Sequence, residues 1–213
     1  MGRAGRRFRI EALGSEPDRR GFSCGAPDLD AYLREKAGQD IRRHVASVFV
    51  LVEDGPVVLG YYTLSQQVIS LEDLPPSIAE RLAHYPLLPA TLIGRLAVCS
   101  ERQGEGLGAL LLMDALHRSW RAAKTVASCA VRVDATDEDA RAFYLRHDFL
   151  ALPRERLKLF FPMAARSRGK VGPAAATNAN SRESTATPPH RPAPARPPTP
   201  APPGIPPNWR ADP

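Results

Sequence analysis

No run of about 18 apolar residues occurs in the 213-residue chain, which argues against a transmembrane helix. The basic stretch Met1–Arg9 is followed by no apolar segment, so no secretory signal is expected. Cysteine is scarce. Cys24, Cys99 and Cys129 are odd in number and far apart, which fits neither a disulfide framework nor a CxxC metal or redox motif. A reducing, cytoplasmic compartment is the simplest reading. The histidines are scattered and form no HExxH pattern, so no metal is expected. Also missing is a Gly-Lys-Ser/Thr sequence, which excludes a Walker-type phosphate loop.

Proline is plentiful but unevenly spread. Of 22 prolines, 13 fall in residues 164–213, a segment with seven Lys/Arg and two Asp/Glu. Most of the chain's net charge of +6 therefore belongs to this tail, and a domain-wide argument for nucleic-acid binding from charge would be misplaced. The tail has few apolar residues to offset chain entropy and is expected to be disordered, with polyproline II character. Residues 1–163 are long enough to bury a core and form the expected domain.

Within that domain, strands and helices interleave. Strands are expected at Phe8–Leu13, Ser47–Glu53, Val57–Ser70, Ala90–Val98, Ser128–Asp134 and Leu157–Phe161, with Asp54-Gly55 as a hairpin turn. Helices are expected over Asp28–Arg43, after Leu74-Pro75-Pro76, over Leu107–Lys124 with Leu112, Leu116 and Trp120 in one row, and from Thr136 or Asp137 to His147. The pattern implies a layered α/β domain with a mixed sheet.

The densest signal is Leu96-Ala97-Val98, a polar link, then Gln103-Gly104-Glu105-Gly106-Leu107-Gly108 at the start of the longest helix. Alternating glycines leave main-chain N–H groups unshielded, and a helix N-terminus adds free donors and the positive end of its dipole. Such a loop suits a pyrophosphate, although glycines also open helices for turn reasons alone. The spacing is not the GxGxxG of dinucleotide folds.

Gln103–Gly108 resembles the acetyl-CoA signature of the GNAT N-acetyltransferase superfamily, Q/R-x-x-G-x-G/A. One helix and one strand later, Ala142-Phe143-Tyr144-Leu145-Arg146-His147-Asp148-Phe149 resembles that superfamily's A-x-x-F-Y-x-x-x-G-F helix end. Further segments are similar to the GNAT toxins of type II toxin–antitoxin modules, the TacT-like group. They are Phe22–Gly25 with Leu29 and Leu33, Gly60–Ser65, Tyr85-Pro86, Ile93–Val98, Val133–Ala135 and Leu159–Met163. The likeness spans about residues 8–163 and implies a GNAT fold, a mixed sheet splayed at the acetyl-CoA site. It implies acetylation of the α-amino group of aminoacyl-tRNA, an antitoxin partner of ribbon-helix-helix type and a homodimer. It places Leu96, Ala97 and Val98 along the pantetheine arm, residues 103–108 around the pyrophosphate with Phe143 nearby, and Tyr144 on the catalytic tyrosine.

Chemistry is compatible with that assignment. A phenol is protonated at neutral pH and can give its proton to a departing thiolate. A main-chain N–H near Val98 or Cys99 can serve as oxyanion donor. No Glu or His in the motifs stands out as a base, which suits a weakly basic α-amine better than a lysine. Lys36, Arg42 and Arg43 are candidates for tRNA phosphates, and Arg95 either meets substrate or braces the site through an acidic partner. Tyr61 and Tyr62 read as packed strand residues, and Cys99 as a small buried one. Two positions depart from the family pattern: Asp148 stands where glycine is usual, and Cys99 where a polar residue is. Two rival readings stay open: an N-acetyltransferase of a small amine or protein N-terminus, and a protein that only binds acetyl-CoA or an antitoxin.

Overall fold

The computed structural model describes residues 8–82 and 84–163. The proline-rich segment 164–213 lies outside the described residues. Seven strands form one sheet in the order β1 (Phe8–Ala12), β2 (Ser47–Glu53), β3 (Val58–Ser70), β4 (Leu87–Val98), β5 (Ala130–Asp134), β7 (Glu155–Pro162) and β6 (Leu150–Leu152). All neighbours are antiparallel except β4 and β5. The expected mixed sheet is thus present. β2 is nearly all apolar because both of its faces are covered. On one face Val48, Val50, Val52, Tyr61 and Ala97 pack with Tyr32, Leu33 and Ala37; on the other, Leu51, Tyr62, Ile93, Val131 and Val133 pack with Leu111, Leu112 and Tyr144.

The helix expected over Asp28–Arg43 is interrupted. α1 (Pro27–Ala31) passes through a wide turn at Tyr32–Lys36, where Ala37 N–H bonds to the Tyr32 carbonyl, into α2 (Ala37–Arg42). The extra residue rotates Tyr32 and Leu33 into the core, where both are buried. A short α3 (Pro76–Ala79) follows β3. In α4 (Leu107–Ala122) the buried row is Leu107, Leu111, Leu112, Ala115 and Ser119. Trp120, expected in that row, is half exposed and carries the Lys124 ammonium 3.9 Å from its ring centroid. β6, only three residues long, escaped the sequence reading.

Two glycines shape the site. The register of β3 on β4 shifts between Thr63↔Arg95 and Leu64↔Ile93, which leaves Gly94 as the extra residue of a bulge. Parallel pairing of β4 with β5 ends at Ile93↔Val133, so Gly94–Val98 continue with no strand on that side. The splay begins at the bulge. A Cβ on Gly60 would lie 2.8 Å from the Ala97 carbonyl and 2.9 Å from Leu111 Cδ1, so glycine permits α4 to sit close to β3 and β4 beside the splay.

Candidate active site

The loop before α4 is a row of free donors. Gly104 and Gly106 both have φ +81°, the left-handed region that favours glycine. The first main-chain bond into the helix is Leu110 N–H to the Gly106 carbonyl at 3.1 Å. Upstream of it, the N–H groups of Gly104, Gly106, Leu107, Gly108 and Ala109 have no acceptor among the described residues. Nothing lies within 4 Å of where a Cβ would stand on Gly104 or Gly106. A pyrophosphate needs such converging donors and room for close approach, so these residues fit it. The loop borders a cavity of about 420 Å³ lined also by Val98, Arg102, Gln103, Phe143, Arg146 and His147.

Gln103 and Glu105 act through their neighbours. Gln103 Nε2 donates to the Cys24 carbonyl at 3.0 Å and the Val98 carbonyl at 3.1 Å, which ties the loop to the end of β4. Glu105 turns its carboxylate to Arg102, which also pairs with Glu53 at 2.8 Å. These two carboxylates hold the Arg102 guanidinium well above its ordinary pKa.

β4 presents its backbone to the gap. Cys99 N–H donates to the Leu59 carbonyl at 2.8 Å, so the 59–99 pair is hydrogen-bonded and, by alternation, Gly60↔Val98 is not. Val98 and Leu96 therefore direct their N–H and carbonyl groups toward the side that β5 has left. Of the two candidate oxyanion donors, Cys99 is engaged and Val98 faces the gap. Ala97 sends its side chain into the core of the opposite face, and Leu96 packs against the α4 side.

α5 (Glu138–Arg146) starts at Asp137, whose carboxylate accepts from Ala140 N–H at 2.8 Å. It ends with Asp148 N–H on the Leu145 carbonyl and Phe149 N–H on the Tyr144 carbonyl, and Asp148 has φ +65°. The position usually held by glycine does need a left-handed residue, which aspartate supplies. This helix buries Tyr144 to 8% exposure against Phe143 and Phe149. The Tyr144 hydroxyl has no hydrogen-bond partner among the described residues. Burial alone pushes its pKa up to about 12. Phe143 forms the cavity wall, 3.7 Å from where a Gly108 Cβ would stand. Arg146 and His147 share its face at i+3 and i+4; the sequence reading passed over both, although that spacing marks them.

Lys36, Arg42 and Arg43 are exposed around α2, on the side away from α4. Arg95 lies over the Tyr32 ring, 3.6 Å from its centroid, in place of the acidic partner expected. Tyr32 in turn donates to Asp40 at 3.0 Å. Tyr61 and Tyr62 are fully buried, as expected, whereas Cys99 is only partly buried, though desolvation still raises its thiol pKa. Among the described residues no cluster of His, Cys, Asp and Glu could hold a metal ion, and no helix is long and apolar enough to cross a membrane.

A sheet splayed at a bulge, with a donor-lined glycine loop beside the gap, defines an enzyme that draws its acyl group from a coenzyme A thioester. The model of the acetyltransferase (GNAT) family matches residues 15–149, and the chain belongs to that family. It is an N-acetyltransferase with acetyl-CoA as acyl donor. A tRNA-acetylating toxin of Mycobacterium tuberculosis (strain ATCC 25618 / H37Rv) is 37% identical over 142 residues, 67% of this chain and 84% of the relative. A mutant of KacT has a similar structure, with TM-score 0.70, 31% identity, and coverage of 73% of this chain and 95% of that one. AtaT in complex with acetyl-methionyl-tRNAfMet gives TM-score 0.69, 29% identity, and the same coverage of 73% and 95%. AtaT has also been solved with acetyl-CoA and the C-terminus of the antitoxin AtaR (TM-score 0.63, 28% identity, 73% and 93% covered).

Proposed function

We propose that this enzyme is a toxin that acetylates the α-amino group of aminoacyl-tRNA in the cytoplasm, so blocking translation, and that a cognate antitoxin neutralises it. The observation that carries the reading is the buried, unpartnered phenol of Tyr144 on a helix that also walls the donor-lined cavity. Bound acetyl-CoA supplies an activated acetyl group there. Gly104 and Gly106–Ala109 hold the diphosphate through their N–H groups, and Gln103 keeps that loop against β4. The Val98 N–H, facing the gap, donates to the carbonyl oxygen as negative charge develops on it. Tyr144, neutral at physiological pH, gives its proton to the leaving sulfur, and the proton shed by the acylated nitrogen restores the phenol.

The incoming amine needs no strong base. A free α-amine has a pKa of about 8, against about 10.4 for lysine, and esterification lowers it further. The relatives named for tRNA acetylation and for an antitoxin complex support the substrate and the partner. A ribbon-helix-helix antitoxin and a homodimer belong to the same reading, on the family resemblance. Residues 1–163 are assigned as the catalytic domain and 164–213 as an extension beyond it.

The test offers labelled acetyl-CoA and the full chain to total charged tRNA, followed by mass spectrometry of the aminoacyl ends. Label on one or a few aminoacyl groups is the expected result. Label confined to free amines or protein N-termini, with charged tRNA untouched, would refute the proposal.

A further inference from the structure

Gly38, inside α2, is a saddle between two guanidinium groups. From the point where its Cβ would stand, Arg19 Nη2 and Arg42 Nη1 are each 3.5 Å away and Arg19 Nη1 is 3.9 Å away. The two cations therefore lie no more than twice that shorter distance apart. Neither makes an ion pair or hydrogen bond through its side chain among the described residues. Nearby carboxylates are already engaged: Asp18 with Arg20 at 2.9 Å, and Asp40 with the Tyr32 hydroxyl at 3.0 Å.

Both arginines spring from anchored backbone. Asp18 N–H donates to the Pro56 carbonyl at 2.7 Å, and the Asp18 carbonyl accepts from Val58 N–H at 3.1 Å, which pins Arg19 beside the sheet. α2 closes just after Arg42, with His44 N–H on the Ile41 carbonyl and Val45 N–H on the Asp40 carbonyl. Glycine within a helix is destabilising relative to alanine. A methyl at position 38 would meet only ordinary van der Waals distances, so fold packing does not demand glycine there. Two unpaired forks held this close together suit a tetrahedral oxyanion that accepts from both.

We propose that Arg19 and Arg42 clasp a phosphodiester of the RNA acceptor over Gly38, a contact that rests on the charged-tRNA reading above. A phosphate backbone is favoured over an acidic peptide because Arg34, Lys36 and Arg43 add exposed cations along the same helical segment, which suits a repeating anion. The clasp makes Arg19 a positioning residue for the proposed reaction, although it stands outside the helix that carries the other cations.

The experiment compares steady-state acetylation of charged tRNA by the full chain and its variants over a range of salt. In the double variant Arg19→Gln/Arg42→Gln, KM should rise at least tenfold with kcat retained. The slope of log KM against log salt should become shallower by about one. Gly38→Asp should raise KM similarly with both arginines present, because its carboxylate would neutralise them. Gly38→Ala should keep the wild-type KM and raise Tm. Unchanged KM and salt slope in the double variant would overturn the clasp. So would a double variant with wild-type KM that escapes its antitoxin, which would assign the pair to an acidic peptide. Wild-type chain inert toward charged tRNA would sink the functional reading instead. Anisotropy of a labelled RNA duplex binding to the Tyr144→Phe chain, with and without the double substitution, then decides the clasp by itself: unaltered affinity overturns it.

Discussion

Replacing Tyr144 with phenylalanine separates chemistry from packing. The ring contacts survive, since the centroids of Phe143 and Phe149 stand 5.2 and 5.3 Å away and phenylalanine fills the same space. The lost hydroxyl has no partner among the described residues, so its removal orphans no other group. Stability should then stay within about 1 kcal/mol of wild type, because the hydroxyl has no hydrogen bond to lose. Acetyl transfer should fall about 10²- to 10⁴-fold, the usual contribution of a positioned general acid, or about 2.7–5.5 kcal/mol in the barrier. Three assays read the outcome: single-turnover acetylation of charged tRNA, calorimetry with acetyl-CoA, and thermal melting. Loss of rate at unchanged acetyl-CoA affinity and Tm is expected. A variant that keeps more than about a tenth of the rate would refute the proton-donor role. A variant that loses Tm and acetyl-CoA binding together would show that the hydroxyl serves the fold.

Other perturbations test separate parts of the architecture. Gly60→Ala should cost about 1–3 kcal/mol in denaturant unfolding, because the Ala97 carbonyl at 2.8 Å is backbone and cannot swing aside; an unchanged midpoint would mean that α4 is not held there. Asp148→Gly should gain up to about 1 kcal/mol by relieving a left-handed residue, partly offset by the entropy of glycine. A rise of about 2–4 °C in Tm per kcal/mol would register it. For pH, the amine must lose a proton while Tyr144 must keep one. The rate should climb through the amine's pKa, below about 8 in the ester, and then level off, since burial places the phenol at about 12. Initial rates that fall again between pH 8 and 9 would contradict a buried Tyr144 as the acid.

Much of the site could be read from the chain because its signals are local. Alternating glycines before an apolar-periodic helix announce an N-terminus with bare donors, and the same segment turns out to hold Gly104 and Gly106 at φ +81°. Phe143 and Tyr144 share one short helix, so their nearness to each other needed no tertiary information. The left-handed demand at residue 148 was likewise visible as a position where glycine is usual, and the backbone there is at φ +65°.

What could not be read depends on segments far apart in the chain. Nothing near Arg95 predicts that it would lie on the Tyr32 ring; that needs α1 tied to Tyr61 of β3 and a wide turn to aim the ring. Gly94 as the start of the splay is decided by the register of β3 against β4. Cys99 is excluded as a donor by Leu59, forty residues earlier, whose carbonyl occupies its N–H. Arg19 joins Arg42 only because Asp18 is tied to the β2–β3 turn. Backbone preference and helix periodicity act over a few residues, so sequence alone determined most of the elements, the glycine loop and the place of Tyr144 on its helix. Partners of charged side chains and free main-chain donors are settled by which distant surfaces meet, and the tertiary structure alone decided those.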